Sequence, residues 1–386
     1  MSGDTMLSEE GCRTRRQRLW EILSREIEWV LIADSRHVNY LSGFWVDPLS
    51  HSFGERGLLY LERAGDAVLL CDNFTLASTI GQPFVERTIA EPWYDQRHSA
   101  LNRDHILFKA LQQIRDRLRP ASGLVETEWL PLGAYQAIGQ APPPERPGQP
   151  SLGSLLRELR RRKDPDELEI LRRCIRAGEA GQRQGRELVA PGIGELELYR
   201  EVQSAALAEL GRPALVYGDF RAASPSFPNA GGPPTDYVLR AGDTFILDFS
   251  VVLAGYRGDF TSTIAVGEPT KGQRELLDLC RAALAAGEVA LKPGARGREV
   301  YQAVAAPFAA AGRSDIFPYH AGHGLGLGHP EAPAFVPESD EVLSAGEVVT
   351  LEPGAYVEGI GGVRIEHNYR ITEGGCERLS RHATEL

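Results

Sequence analysis

Five side chains in the second half of the chain belong to the residue types that bind divalent metal ions. Four carboxylates and one imidazole form a hard, oxygen-rich donor set. Such a set suits two divalent ions of the manganese, cobalt or zinc type, and does not suit a structural zinc site. The sequence therefore predicts a centre that holds two divalent metal ions. The five candidate ligands are Asp248, Asp259, His323, Glu352 and Glu366.

Two of these acids interrupt apolar segments. Asp248 lies between the run 245–247, Phe-Ile-Leu, and Phe249, and Glu352 follows the run 348–351, Val-Val-Thr-Leu. A single acid elsewhere is usually a solvated surface charge, but a carboxylate in an apolar strand is costly to bury unless it is paired or bound to a metal. Both positions therefore favour the metal interpretation.

The elements around the first pair of acids read as a β-hairpin. Asp259 follows Asp248 by 11 residues, and the sequence between them suggests a strand, a tight turn and a second strand. A turn centred between Leu253 and Ala254 predicts that the two aspartates lie directly opposite each other on paired strands.

The second pair repeats this arrangement. Glu366 follows Glu352 by 14 residues, and the glycine-rich turn between them is centred on Gly359. We therefore expect the two glutamates to face each other as well. His323 stands between two glycines, where the backbone can approach the site closely.

Four motifs carry a family resemblance, and they read ILDFSVVLAGYRGDFTST, AGHGLGLGHPE, VTLEPGAY and GGVRIEHN. They resemble the pita-bread metallopeptidases, which include methionine aminopeptidase, aminopeptidase P and prolidase. The segment RLWEILSREIEWVLIADSRHVNYLSGF resembles the start of a creatinase-type N-terminal domain, and LRRRKDPDELEILRRCIRAGEAG resembles the helix that opens the catalytic domain. The resemblance implies an α/β (α+β) fold, with an N-terminal domain over 1–150 and a catalytic domain over 151–386.

The same resemblance implies an activity. It points to a metal-dependent hydrolase, a Xaa-Pro dipeptidase or aminopeptidase that cleaves short proline-containing peptides through a hydroxide bridging two ions. Manganese is the first candidate for those ions, with cobalt or zinc as alternatives. The family assigns the role of ligand and general base to the position of Glu352, and it suggests a homodimer. Thr261 and Thr350, each two residues from a ligand, could orient carboxylates as hydrogen-bond donors, or could reflect β-propensity alone.

The substrate-binding histidines of the family are displaced in this chain. Gly231 stands where a first histidine is expected, and Pro330 stands where a second is expected, seven residues after His323. His329 and His320 are interpreted as shifted catalytic and substrate-binding replacements. A shift of one residue turns a strand side chain to the other face, so replacement requires a bulge or a loop. The alternative is that His329 is a surface or packing residue.

Two further interpretations stay open. Arg364 matches the family's Arg-Ile-Glu segment, where it could bind a substrate carboxylate or pair with a nearby acid. The displaced histidines leave room for a non-peptide small-molecule amide substrate or a lyase reaction at the same metal site. A non-catalytic binding module on the same scaffold is a third possibility, against which the five retained ligands argue.

Composition excludes several classes of protein. The 386 residues are 42% hydrophobic and 25% charged, as expected for a soluble globular protein of two domains. A net charge of −11 disfavours nucleic acid and anionic membranes as partners. The start of the chain does not resemble a signal peptide, and no apolar run is long enough to span a membrane. Five scattered cysteines indicate reduced thiols and a cytoplasmic location.

Local patterns predict several helices and strands. A helix begins at Pro165 with Asp164 as its cap, and another begins after Thr270 and stops at Pro293-Gly294. The segment 141–150 is rich in proline and is either a linker or a surface loop. Further strands are predicted at 29–33, 57–61 and 67–71, and further helices near 12–26 and 104–118.

Overall fold

The computed structural model describes residues 7–46, 55–138 and 150–386. The chain divides into two compact units, Met1–Arg160 and Arg161–Leu386. Except for its last residue, the proline-rich segment 141–150 lies outside the described residues. No helix among the described residues is long and apolar enough to cross a membrane.

The first unit is built on a mixed five-stranded sheet with helices around it. The strand order is β4-β3-β2-β1-β5, in which β1 pairs antiparallel with β2 and parallel with β5. The three strands predicted from apolar runs are present, with bounds shifted by at most one residue. The elements are α1 (Glu9–Ile22), β1 (Trp29–Ile32), α2 (Ser35–Ser42), β2 (Leu58–Glu62), β3 (Ala67–Asp72), α3 (Asn73–Ala77), β4 (Arg87–Glu91), α4 (Arg103–Gln112), β5 (Gly123–Val125), α5 (Leu132–Ile138) and α6 (Leu152–Leu159).

The second unit contains three antiparallel sheets and four helices. The sheets have the orders β6-β7-β8, β10-β9-β11-β14-β15 and β12-β13. Its helices are α7 (Pro165–Leu188), α8 (Glu195–Leu210), α9 (Lys271–Ala290) and α10 (Gly297–Ala310). Its strands are β6 (Leu215–Ala223), β7 (Thr244–Leu253), β8 (Tyr256–Ala265), β9 (His323–Gly324), β10 (Glu331–Ala334), β11 (Val348–Leu351), β12 (Gly354–Val357), β13 (Gly361–Arg364), β14 (His367–Thr372) and β15 (Gly375–Arg378).

The two capped helices predicted from sequence are confirmed. Asp164 and Glu167 form a reciprocal capping box at the start of α7, with Pro165 at the first helical position. Thr270 and Gln273 form the same motif at the start of α9. Each box satisfies backbone N–H groups that the first turn of a helix leaves without an intrahelical partner. The α9 helix ends at Ala290, slightly before the predicted stop.

Helix α7 packs closely against the sheet that carries the site. A Cβ atom at Gly178 would lie only 1.8 Å from Cζ of Phe260, which is fully buried in β8. Glycine therefore allows the helix backbone to approach the ring directly. Helices α9 and α10 share a hydrophobic core with β11, β13 and β14. These contacts hold the strands that flank Glu352 and Glu366.

Candidate metal centre and active site

The β7–β8 hairpin carries the two candidate aspartates, with a register that differs from the predicted one. Its turn consists of Ala254 and Gly255, with φ values of 48° and 82°, as a two-residue primed turn requires. Leu253 therefore pairs with Tyr256, which places the centre of the turn one residue later than the sequence suggested.

The prediction that the two aspartates face each other directly is therefore wrong. Asp248 lies opposite Thr261, and Asp259 lies opposite Ser250. Because alternate residues of a strand share a face, the two carboxylates are diagonal neighbours on one face of the hairpin. The primed turn is preferred because its twist matches that of the flanking strands. The carboxylates still converge, and Ser250 donates a hydrogen bond to Asp259 over 3.0 Å.

The two glutamates lie in the register that the sequence predicted. Leu351 pairs with His367, and Gly354 pairs with Arg364, so Glu352 and Glu366 fall opposite each other at the break between these two pairings. The backbone N–H of Glu366 donates to the carbonyl of Thr261 over 3.0 Å. This bond joins the glutamate segment to the aspartate hairpin and brings both pairs of acids to one site.

Both threonines singled out from the sequence contact the same carboxylate. Thr261 donates its hydroxyl hydrogen to Oε2 of Glu366 over 2.8 Å, and Thr350 donates to Oε1. All three residues are buried. The two hydroxyls therefore hold the orientation of Glu366, as the orienting role suggested for both threonines requires.

The backbone at His323 approaches its neighbours closely, as its flanking glycines predicted. A Cβ atom at Gly322 would lie 2.0 Å from the carbonyl oxygen of Thr350, and one at Gly324 would lie 2.1 Å from that of Ala332. The Nδ1 atom of His323 is 2.9 Å from the carbonyl of Gly324. With Nδ1 protonated, Nε2 is available to bind a metal ion and points toward the carboxylates.

The five predicted ligands line one cavity of about 540 Å³. The Nε2 atom of His323 is 3.8 Å from Oδ2 of Asp259 and 3.4 Å from Oε1 of Glu352. Asp248, Asp259 and Glu366 offer carboxylate oxygens that lie within 4.8 Å of one another. The structure therefore gathers side chains that are up to 118 residues apart in sequence.

The electrostatics of the cavity reflect crowded, buried carboxylates. Burial raises the pKa of Asp248 to about 6, helped by the charges of Asp259 and Asp219 and opposed by Arg364. Burial and neighbouring carboxylates also hold the pKa of Glu352 and that of Glu366 well above the usual range. These acids resist carrying their charges together unless cations compensate them.

Two of the histidines have opposite pKa shifts. Burial lowers the pKa of His323 to about 4, which keeps its imidazole neutral and able to bind a metal. Burial also lowers the pKa of His329, but its hydrogen bond to Asp259 outweighs this and raises the value overall. The same bond and the nearby His323 outweigh the effect of burial on Asp259 and lower the pKa of that carboxyl to about 2.

The two displaced histidines both line the cavity. His329 lies in the loop between β9 and β10, just before β10, whose pairing register shifts between Glu331 and Ala334. Its Nε2 atom is 2.6 Å from Oδ2 of Asp259. The Nδ1 atom of His320 is 3.5 Å from Oε1 of Glu352. A histidine displaced by one residue can reach the site only from a bulge or a loop, and His329 lies in a loop.

Arg364 pairs with acids, which is one of the two roles left open for it. It donates to Asp248, to Asp219 over 2.7 Å, and to the hydroxyl of Tyr356 over 3.2 Å. Tyr356 in turn lies 2.7 Å from the hydroxyl of Tyr319. The guanidinium of Arg364 therefore donates hydrogen bonds to three protein side chains.

Asp219 is a member of the site that sequence reasoning missed. It lies on β6, directly opposite Asp248 on β7, and lines the same cavity. The only local signal was an acid between apolar residues, Val216 and Phe220, of the kind that drew attention to Asp248. Only the pairing of β6 with β7 shows that this acid lies beside Asp248.

Divalent metal ions fit this donor set. Within the described part of the chain, Oε1 of Glu352 is buried and accepts no hydrogen bond, although His323 lies nearby. An uncompensated carboxylate oxygen of this kind is costly to bury, and a bound cation would compensate it. The oxygen-rich set with one neutral imidazole has the chemistry that divalent transition ions accept.

Comparisons with known proteins agree with this assignment. Residues 169–373, more than half of the chain, match metallopeptidase family M24. The chain belongs to metallopeptidase family M24. The Bacillus subtilis relative YkvY, whose name describes it provisionally as a dipeptidase, is 30% identical over 362 residues, covering 92% of this chain and 94% of YkvY. This membership makes the protein a metal-dependent hydrolase.

Solved structures establish the fold that M24 membership implies. The Xaa-Pro dipeptidase from Bacillus anthracis has a TM-score of 0.75 at 24% identity, covering 97% of this chain and 99% of that one. The X-Pro aminopeptidase from Thermotoga maritima has a TM-score of 0.76 at 21% identity, covering 98% and 99%. The chain has the creatinase-type N-terminal domain and the pita-bread catalytic domain of these proteins.

M24 membership supports a peptidase, so a peptide is its substrate class. The non-peptide amidase or lyase that the displaced histidines left open is not favoured by these relatives. The predicted hydrolase class and the predicted fold are confirmed.

Proposed function

We propose that this M24 protein is a dinuclear-metal Xaa-Pro peptidase that cleaves short proline-containing peptides. The observation that carries the proposal is the convergence of the five predicted ligands on one cavity, where a buried oxygen of Glu352 accepts no hydrogen bond from the described residues. Solved proteins of the same fold are named as a Xaa-Pro dipeptidase and an X-Pro aminopeptidase.

The five ligands would hold two divalent ions, with manganese as the first candidate and cobalt or zinc as alternatives. Such ions, when bound, activate water and polarise the scissile carbonyl group. Thr261 and Thr350 orient Glu366 for this task. Hydrogen bonds of this kind set the direction in which a carboxylate presents its lone pairs.

Glu352 is the proposed general base. Burial and neighbouring acids raise its pKa, which favours its acceptance of a proton from the attacking water. A base works best when its proton affinity is matched to the pH of the reaction. Glu352 then passes the proton to the leaving amine.

His329 and His320 are the proposed donors to the substrate. The hydrogen bond from Nε2 of His329 to Asp259 stabilises its protonated form, and both histidines line the cavity. Placed donors of this kind stabilise negative charge that develops on the carbonyl oxygen. Arg364 orients Asp248 and Asp219 in this proposal and is less suited to binding a substrate carboxylate.

The domain assignment, 1–150 as non-catalytic and 151–386 as catalytic, forms part of the same proposal. A homodimer and a cytoplasmic location, suggested by the family resemblance and by the scattered cysteines, are proposed with it. Within the described residues none of the cysteines forms a disulfide.

The test is hydrolysis by metal-loaded protein. The protein is incubated with manganese, cobalt or zinc and with Xaa-Pro dipeptides, Xaa-Pro-Xaa tripeptides and matched Xaa-Ala peptides. We expect release of proline from the dipeptides or of the N-terminal residue from the tripeptides, and slower cleavage of the alanine peptides. If no metal supports cleavage of either proline series, the proposed function is wrong.

A further inference from the structure

Asp219 lies at the end of the cavity beside the candidate metal ligands. It is the register partner of Asp248 across β6 and β7, and neighbouring strands lie about 4.8 Å apart. Its side chain is 28% exposed, compared with 7% for Asp259. Asp219 is therefore more accessible than Asp259. It is not one of the five predicted metal ligands, so metal binding by those ligands gives it no role.

The hydrogen bonds of Asp219 leave acceptor capacity open toward the cavity. Its Oδ1 atom accepts from the backbone N–H of Gly232 over 2.6 Å, and its Oδ2 atom accepts from Arg364 over 2.7 Å. A carboxylate offers about four acceptor positions. The described residues thus fix its orientation with two bonds and leave the remaining positions for a ligand.

Gly231 keeps the carboxylate uncovered. A Cβ atom at this position would lie 3.2 Å from Oδ2 of Asp219. The backbone there does not require glycine, because its φ is not in the left-handed region. The absence of a side chain therefore leaves room beside Oδ2 of Asp219, which a larger residue would crowd.

The chemistry of Asp219 itself suits an ammonium group. Its carboxylate pairs with Arg364, which also pairs with the candidate metal ligand Asp248. A carboxylate with open acceptor positions accepts charge-assisted hydrogen bonds from an ammonium group in a partly desolvated site.

We propose that Asp219, left uncovered by Gly231, binds the free α-ammonium group of the peptide substrate. The proposal rests on the proposed exopeptidase function, in which the scissile carbonyl is one carbon from the α-ammonium group. That group must then lie within a few ångströms of the metal ligands, as Asp219 does on the strand beside Asp248. A basic side chain would carry its charge several atoms farther away.

The test compares the binding of two small molecules that differ only in the amine. Dissociation constants of L-leucine and of 4-methylpentanoate are measured by calorimetry with metal-loaded protein. We expect wild-type protein to prefer leucine by on the order of tenfold or more. Asp219→Asn should bring the ratio close to one, with bound metal unchanged. Gly231→Ala should reduce it partly, because the new methyl group crowds the carboxylate.

Asp236→Asn is the matched control, since Asp236 is exposed and lies outside the cavity. It should keep the wild-type ratio. An unchanged ratio in both Asp219→Asn and Gly231→Ala would overturn the proposal, as would equal weakening of both compounds, which would make Asp219 only a support for Arg364. Nα-acetyl-lysine carries its only ammonium group on the side chain. If Asp219→Asn weakens the binding of Nα-acetyl-lysine but not that of leucine, the subsite binds a basic side chain of the substrate, and the α-ammonium assignment is overturned.

Failure of the proposed function would look different. A protein that cleaves no Xaa-Pro peptide but keeps an Asp219-dependent preference for leucine would retain the ammonium subsite and lose the Xaa-Pro assignment. For cleaved peptides, Asp219→Asn should raise KM for free-amine substrates more than for their N-acetyl forms.

Discussion

His329 lies 2.6 Å from Asp259, measured from Nε2 to Oδ2. The contact joins a histidine in an irregular loop to a candidate metal ligand on a strand. Asp259 also lies 3.8 Å from Nε2 of His323, so two imidazoles flank one carboxylate. The loop, rather than a strand, carries His329, and this removes the facing constraint that a shift of one residue would otherwise impose.

The first prediction concerns this histidine. His329→Ala should lower kcat by about a hundredfold or more, because it removes a placed proton donor from the cavity. The content of bound metal should stay close to that of the wild type. Steady-state kinetics and elemental analysis measure both. His98→Ala is the control, since the side chain of His98 is 81% exposed. If His329→Ala keeps the kcat of the wild type, His329 is a surface or packing residue and not a proton donor to the substrate.

The second prediction concerns the ligands themselves. Asp259→Asn and His323→Ala should each abolish hydrolysis while the chain stays folded, because each removes a donor from the metal centre. Activity, bound metal and the far-ultraviolet circular dichroism spectrum are the measurements. Asp315→Asn, at an exposed site in the same unit, should behave as the wild type. Substantial residual turnover in either ligand variant would contradict the assignment.

The third prediction concerns the hydroxyls that orient Glu366. Thr261→Val and Thr350→Val should each lower metal affinity or activity by about tenfold to a hundredfold, since each leaves one carboxylate oxygen without its donor. Metal titration by calorimetry measures the effect. Thr372→Val, at a half-buried position on β14 away from the cavity, provides the comparison. Equal affinities in all three variants would show that strand propensity explains these threonines.

The fourth prediction concerns the helix behind the hairpin. Gly178→Ala should destabilise the protein by about 1–3 kcal/mol or more, because the new methyl group must displace the buried ring of Phe260. Urea unfolding measures the change. Gly374→Ala has open space around the added atom and should have little effect. Equal stabilities of the two variants would mean that α7 can move away from β8 without cost.

The fifth prediction concerns pH and metal removal. Burial and mutual repulsion raise the pKa of Asp248 to about 6 from an ordinary 3.8, and that of Glu352 further. At these carboxyls the folded, metal-free protein binds more protons than the unfolded chain, so their contribution to stability should fall as pH rises from about 4 to about 7. The lowered pKa values of His323 and His382 act in the opposite direction over the same window. For Asp248 alone the loss is on the order of 3 kcal/mol.

Bound divalent ions should flatten this fall, because they compensate the carboxylates in their charged form. Urea unfolding across that pH window, with and without chelator, measures both slopes. Asp248→Asn removes the contribution of this carboxyl, so the stability of the chelated variant should fall less, or rise more, over the window than that of the chelated wild type. Equal changes in the two chelated proteins would contradict the argument.

Local patterns anticipated much of the scaffold. The capping boxes at Asp164 and Thr270 need only residues three positions apart, and both helices begin where predicted. The apolar runs likewise predicted the strands β1 to β3. The hairpin register was not, because the turn could be centred on either side of Ala254, and a positive φ at that residue decided it.

The sequence by itself identified the five candidate ligands, because two acids within apolar strands, their partners across predicted turns and a histidine between glycines each carry a local signal. Only the tertiary structure decided how the site is completed. The pairing of β6 with β7 placed Asp219 beside Asp248, and the loop before β10 turned His329 toward Asp259. Both depend on long-range register and loop path, which are set by packing between distant segments and leave no periodic trace in the chain.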